Sequence, residues 1–165
     1  MHRESGFTLL EVLITVAVLA VLAAMAIPSF TSLIERNRAR SAANDLLASI
    51  LMARSEAIKR ERSTALTPNG SDWQHWQAFV DNDKSKTFNS GDERLLDHQL
   101  ASNLSITATG APIANTTAGL FFDSRGLPSE PVDTPAYFAI TAGNTTYYIC
   151  LSPTGRPRFS KEACQ

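Results

Sequence analysis

Residues 7–27 read "FTLLEVLITVAVLAVLAAMAI", a run with one charge, Glu11, and neither glycine nor proline. A run of this kind is long enough to cross a bilayer as a helix, for which about 20 residues suffice. The rest of the chain has to be compatible with that beginning. Over all 165 residues the composition is ordinary for a folded protein, 44% hydrophobic and 19% charged, with a formal charge of −1. This balance excludes a globally polycationic binder, so any nucleic-acid contact has to come from a local patch.

Glu11 restricts what the run can be. A secretory signal peptide has a shorter apolar centre and a small-residue cleavage site beyond it. "AAMAIPS" fits such a site loosely, but the run is long and holds a carboxylate. A plain membrane anchor explains the length and leaves the carboxylate unexplained, at a cost of roughly 2.5–3.5 kcal/mol near a helix centre. Glu11 lies near one end, where the cost is smaller, yet it still asks for a partner. "ERNRAR" then puts Arg36, Arg38 and Arg40 just after the run, which by charge alone would face the cytoplasm.

"GFTLLEVLITVAVLAVLAAMAIPSF" resembles the N-terminus of type IV pilins and pseudopilins. The resemblance implies a leader of residues 1–6, cut between Gly6 and Phe7 by a prepilin peptidase on the cytoplasmic side, with Phe7 then methylated. It also implies that Glu11, fifth in the processed chain, meets the terminal amine of a neighbouring subunit during assembly. Such a pair is physically reasonable, because either charge alone is poorly solvated in an apolar bundle. Pro28 stands where pilins carry a helix-kinking proline, which removes one backbone hydrogen bond. The implied location is the inner membrane, spanned once, with the C-terminal domain in the periplasm and, after assembly, in a pilus at the cell surface. The implied partners are other major and minor pilins, the prepilin peptidase and the inner-membrane assembly platform. Dedicated machinery inserts such chains, so the arginines after the run do not decide orientation.

After Pro28 the pattern becomes amphipathic. Ala39, Ala42, Ala43, Leu46, Leu47, Ile50, Leu51 and Ile58 recur at helical spacing, and Arg54, Lys59, Arg60 and Arg62 read as a solvated face. The spacing predicts one helix from Phe7 to about Arg62, bent near Pro28. Residues 7–29 form its membrane or filament-core half and residues 30–62 the half that lays its stripe on a sheet. "STALTPNGSD" ends the helix. Residues 63–165 are β-rich, with candidate strands in "WQAFVD", "RLLDHQL", "LSITAT", "GLFFD", "AYFAITA" and "TYYICLS". The last two read as a hairpin across Gly143 and Asn144, and "DNDKSKTFNSGDE" as a mobile loop. The fold class is α+β, a type IV pilin fold with a long N-terminal helix on an antiparallel sheet, or two. "SDWQHWQAFVDND", "FFDSRG" and "TGRPR" resemble segments of the FimT/FimU group of minor pilins and the related minor pseudopilins of type II secretion. His75 departs from that pattern, which more often has glycine before the second tryptophan.

No catalytic constellation is present: no nucleophile elbow, no phosphate-binding P-loop and no dinucleotide fingerprint. His2, His75 and His98 are dispersed, so neither a metal site nor a cofactor is expected. The chain reads as a non-enzyme that is itself a peptidase substrate. Trp73, Trp76, Tyr147 and Tyr148 have two uses open, stacking on bases or packing in the core.

The C-terminal "CLSPTGRPRFSKEAC" holds both cysteines, Cys150 and Cys164. In the oxidising periplasm implied by the pilin resemblance their pairing is the default, worth about 3 kcal/mol by loop closure. Between them lie Arg156, Arg158 and Lys161 against one acid, Glu162. In an extended segment the two arginines project to one side, two rises of ~3.3 Å apart, close to the phosphate spacing along a DNA strand. "GRPR" resembles the G-R-x-R motif of FimT-type minor pilins, which are associated with DNA binding in natural transformation. The resemblance implies capture of double-stranded DNA by Arg156 and Arg158, supported by Lys161, through sequence-independent backbone contacts. Three other roles stay open: arginines that only solubilise an edge strand, a pilin that primes assembly without binding DNA, and a pseudopilin of type II secretion.

Overall fold

Helix α1 (Leu9–Arg60) runs unbroken through the proline at position 28. The computed structural model describes residues 7–101, 103–114 and 119–165, with the backbone alone of residues 24–29. The expected leader with Gly6, and the side chain of Pro28, lie outside the described residues. The chain divides into two compact units, Met1–Ile34 and Glu35–Gln165.

In the first unit every side chain of residues 7–23 is exposed, so this part of α1 is apolar on all faces with no core of its own. Among the described residues no helix is long and apolar enough to cross a membrane. The described side chains of the apolar run stop at Ala23, short of the residues 7–27 on which the expectation of a span rests.

In the second unit α1 buries Ala39, Ala42, Ala43, Leu46, Ile50, Ala53 and Ala57. This is a seam at spacings of three and four residues. It corrects the stripe expected from sequence, because Leu51 and Ile58 remain 47% and 51% exposed. Each follows a buried residue by one position, a rotation of about 100° around the helix axis. Alanine dominates the seam, so the large side chains of this core come from the sheets. The helix stops in a Schellman arrangement. Glu61 turns left-handed (φ 53°), and the Glu61 and Arg62 N–H groups donate to the carbonyls of Ile58 and Ala57.

Eight strands follow: β1 (Thr64–Pro68), β2 (His75–Val80), β3 (Glu93–Gln99), β4 (Ser105–Thr109), β5 (Leu120–Phe122), β6 (Ala136–Ala142), β7 (Thr145–Leu151) and β8 (Pro157–Ser160). They form two antiparallel sheets, ordered β3-β2-β1-β5 and β4-β6-β7-β8. All six expected strands are present; β1 and β8 are additional. The β6–β7 hairpin turns at Gly143 and Asn144, between the paired Ala142 and Thr145. Gly143 has φ 53°, a left-handed backbone that glycine adopts without a side-chain penalty.

Both sheets contribute to one core against α1. Leu66, Trp76, Leu120 and Phe122 come from the first sheet, Phe138, Ile140 and Ile149 from the second. Trp73 meets Phe138 edge-on at 4.6 Å and donates its indole N–H to the Ile113 carbonyl. Trp76 stacks on His98 and donates to Ser49 Oγ on the helix. Both tryptophans are therefore core residues. The far face of the first sheet is covered as well. Ala65, Phe79 and Phe121 form a second cluster under Phe88, and Lys86 and Arg94 lie over the Phe121 and Phe88 rings.

The stretch 81–93, read as a loop from sequence, joins β2 to β3, lays Phe88 against the second cluster and is hydrogen-bonded within itself. The buried Asp81 carboxylate accepts the Ser85 and Lys86 N–H groups, and Asp92 accepts those of Asn82 and Asn89. Burial holds the Asp81 carboxyl above its usual range, a trend the Lys86 N–H opposes.

A side chain at φ > 0 carries a penalty that glycine lacks. Glu61→Gly is expected to stabilise the fold by about 1 kcal/mol, raising Tm in a thermal melt by roughly 2–4 °C.

Candidate nucleic-acid interface

Of the N-terminal residues singled out from sequence, Glu11 has a partner in Thr8, one helical turn before it. Glu11 Oε2 accepts the Thr8 backbone N–H at 3.1 Å and its hydroxyl at 3.3 Å, and the Glu11 N–H donates to Thr8 Oγ1 at 3.2 Å. This is a capping box, Thr8 at the cap and Glu11 three residues on. The carboxylate that needed a partner in an apolar run has one in the start of its own helix. The T-x-x-E spacing of "TLLE" carried that signal. Phe7, immediately before, is 84% exposed.

At the other end of the chain, β7 passes into β8 through a tight turn. The Gly155 N–H donates to the Ser152 carbonyl at 2.8 Å and the Ser152 N–H to the Arg156 carbonyl at 3.1 Å. Ser152 Oγ takes the Arg156 N–H at 3.0 Å. Pro153 holds the second turn position and Gly155 the left-handed one (φ 70°), the pattern of a type I turn closed by glycine. A Cβ on Gly155 would stand 2.6 Å from Pro128 and 3.1 Å from the Phe122 ring. The turn therefore sits directly on the core.

A second turn, "DSRGL", repeats the design. Asp123 accepts the backbone N–H groups of Arg125 and Leu127, and Gly126 (φ 73°) lies against Ile58 and Arg54 of α1. The Arg125 guanidinium is engaged by Asp123, and that bond holds the Asp123 carboxyl below its usual range. The "SRG" segment is thus accounted for by packing.

β8 is the outer strand of its sheet, paired with β7 so that Cys150 faces Arg158 and Leu151 faces Pro157. Pro157 is buried, and Phe159 packs toward the core beside Tyr147 at 5.2 Å. The two-residue period then puts Arg156 and Arg158 on the opposite, outer face. Both are exposed, as is Lys161 just past the strand. Among the described residues none of the three joins an ion pair.

Cys150, on the same outer face, is bonded to Cys164 with Cα atoms 5.7 Å apart, so the C-terminal segment folds back across the sheet. Between that segment and the β7–β8 turn lies a groove of about 470 Å³ whose lining includes Thr134, Pro135, Cys150, Arg156, Arg158 and Cys164. The structure therefore brings together Arg156, Arg158, Cys150 and Cys164. Lys161 does not line the groove. The walls from Thr134 and Pro135, remote in sequence, were not foreseen. Tyr137 and Tyr148 meet edge-on at 5.8 Å on the outer face, whereas Tyr147 packs against the core.

A long N-terminal helix whose second half packs on two antiparallel sheets, entered through "GFTLLE", defines a pilin-like subunit of the minor pilin and pseudopilin class. The chain belongs to the GspH family: the model described as type II transport protein GspH matches residues 42–155, and a prokaryotic N-terminal methylation motif matches residues 1–27. It is similar to the pilin-like protein PilA1 of Thermus thermophilus, 30% identical over 156 residues that cover 93% of this chain and 96% of that protein. Among solved structures, the type IV minor pilin FimU of Pseudomonas aeruginosa is 25% identical with a TM-score of 0.57, over 76% of this chain and 90% of FimU. The minor pseudopilin EpsH of the Vibrio cholerae type 2 secretion system shares the fold at a TM-score of 0.54 and 15% identity, over 75% of this chain and 97% of EpsH. Minor pilins and pseudopilins work alongside other pilins in an assembled filament. The GspH match stops at Gly155, so Arg156, Arg158, Lys161 and Cys164 lie beyond it.

Gly155→Ala forces a side chain into both a left-handed backbone and the Phe122–Pro128 surface. It is expected to destabilise the protein by about 1–3 kcal/mol, read from the shift in a denaturant unfolding midpoint.

Proposed function

We propose that this chain is a minor pilin that joins a type IV pilus at or near its tip, supports pilus assembly, and binds extracellular double-stranded DNA for uptake in natural transformation. The observation that carries the proposal is a pair of exposed arginines, Arg156 just before the edge strand β8 and Arg158 within it, that join no ion pair among the described residues. Their guanidinium forks suit phosphate oxygens, and nothing on the strand neutralises them. Lys161 adds a third charge nearby. Contacts of this kind address the DNA backbone and ignore sequence.

The same proposal gives the N-terminus its role. The prepilin peptidase cuts between Gly6 and Phe7, Phe7 is methylated, and residues 7–29 hold the subunit in the inner membrane with its C-terminal unit in the periplasm. Transfer to the filament then brings Glu11 to the terminal amine of a neighbouring subunit, in exchange for or beside its bond to Thr8. The partners are other major and minor pilins, the peptidase, the inner-membrane assembly platform and DNA. The chain is a structural subunit and a peptidase substrate, with no catalytic role of its own.

The GspH match favours a second role, a minor pseudopilin of type II protein secretion; a priming pilin that leaves DNA alone is the other alternative. Replacing both arginines separates them. Arg156→Ala/Arg158→Ala in the full chain is expected to weaken DNA retardation in a mobility-shift series by at least about tenfold, and to reduce transformation while piliation stays intact. Retardation equal to the parent at the same salt excludes the DNA-binding role. Loss of protein export, with pili unaffected, on deleting the gene assigns the chain to secretion.

A further inference from the structure

We infer that the groove beside Arg156 and Arg158 is a single-nucleotide site that takes the 5′-phosphorylated end of a DNA strand, an inference that rests on the DNA-binding role proposed above. The groove has a definite size. At about 470 Å³ it falls within the ~300–1,000 Å³ typical of small-molecule pockets. A pocket of this volume is the size of a small molecule and not of a base-paired duplex. One nucleotide at a strand terminus, opened from its base pair, can enter.

The lining fits that occupant. Both guanidiniums border the groove, and among the described residues none of the lining side chains is acidic; Gln165 also lines it, so its backbone carboxyl group lies in the same segment as Cys164. A terminal phosphomonoester bears about −1.5 to −2 charges near neutral pH, more than the single charge of an internal phosphate, and presents three acceptor oxygens. Two adjacent arginine forks therefore favour a chain end over a chain interior. Pro135, Pro153, Pro157 and the Cys150–Cys164 bridge supply much of the rest, with Ala136, Leu151 and Gln165. Prolines have no N–H to satisfy, so this surface can lie against a sugar or a base face without stranding a donor. The hydroxyls of Thr134 and Ser152 stand at the border, Ser152 already engaged with the Arg156 N–H.

The floor is also rigid. Gly155 seats the turn on Phe122 and Pro128, and the disulfide ties the opposite wall to β7. The groove is thus formed before any ligand arrives, which spares the ordering cost of binding. DNA held this way is presented end-first, the narrowest way for a duplex to follow the subunit.

The test compares three fluorescent probes of one sequence on the full chain in detergent micelles: a linear duplex with 5′-phosphates, the same duplex with 5′-hydroxyls, and a covalently closed circle. The 5′-phosphorylated duplex is expected to bind about tenfold more tightly than the other two. Deoxyadenosine 5′-monophosphate is expected to compete for the preference where deoxyadenosine does not. Thr134→Trp, which fills the groove and leaves both arginines in place, is expected to erase the preference while binding to the circle persists. Equal affinity for phosphorylated and hydroxyl ends overturns the groove assignment and leaves backbone binding standing. Absence of binding to every probe at low salt overturns both. Displacement of the phosphorylated probe by a polyglutamate peptide as readily as by unlabelled DNA also overturns the assignment, in favour of an acidic protein partner.

Discussion

The architecture depends on one helix face built mostly from small residues. Ala39, Ala42, Ala43, Ala53 and Ala57 give α1 a buried seam with almost no side-chain depth, and side chains from both sheets meet it in one core. Large side chains are then supplied from the sheets. Trp76, Phe122 and Phe138 fill the space above the seam, and Trp76 reaches across to Ser49 with its indole N–H. A bulkier residue at the alanines would overpack the site, at a typical cost of about 1–3 kcal/mol.

That core also sets where the arginines stand. Phe122 faces inward from β5, and its ring supports Gly155. The turn at Gly155 aims β8, β8 pairs with β7, and Cys150 of β7 anchors Cys164. Arg156 and Arg158 end on the outer face because Pro157 and Phe159 are drawn inward. Their exposure is thus a consequence of packing several residues away. The GspH match covers β7, Cys150 and the turn as far as Gly155 and leaves Arg156, Arg158 and Cys164 outside it.

Much of this was legible in the sequence, for identifiable reasons. Six strands and the Gly143–Asn144 hairpin followed from alternation and turn residues, and the disulfide followed from the compartment that the N-terminus implied. The parity of Arg156 and Arg158 followed from assuming an extended segment; β8 begins at Pro157, so it contains Arg158, and Arg156 stands just before it. β1 was missed because Pro68 and Gly70 read as breakers, yet Pro68 is the last residue of its strand, where a missing donor costs least. The helix stripe was misassigned because Leu51 and Ile58 are apolar, while the buried positions Ser49, Ala53 and Ala57 are small. Size, more than hydrophobicity, selects that face. The cover formed by residues 81–92 is rich in Asp and Asn and looks like solvated loop. Its order comes from Asp81 and Asp92 accepting its own N–H groups and from Phe88, a tertiary contact that no local pattern announces. The groove wall at Thr134 and Pro135 depends on strand pairing between distant segments.

The salt dependence of DNA affinity measures the phosphate contacts themselves. With two or three of Arg156, Arg158 and Lys161 engaged, a plot of log K against log salt concentration for duplex DNA is expected to have a slope of roughly −2 to −3. A slope near zero, with affinity maintained, would contradict the assignment of this edge as a phosphate-binding surface.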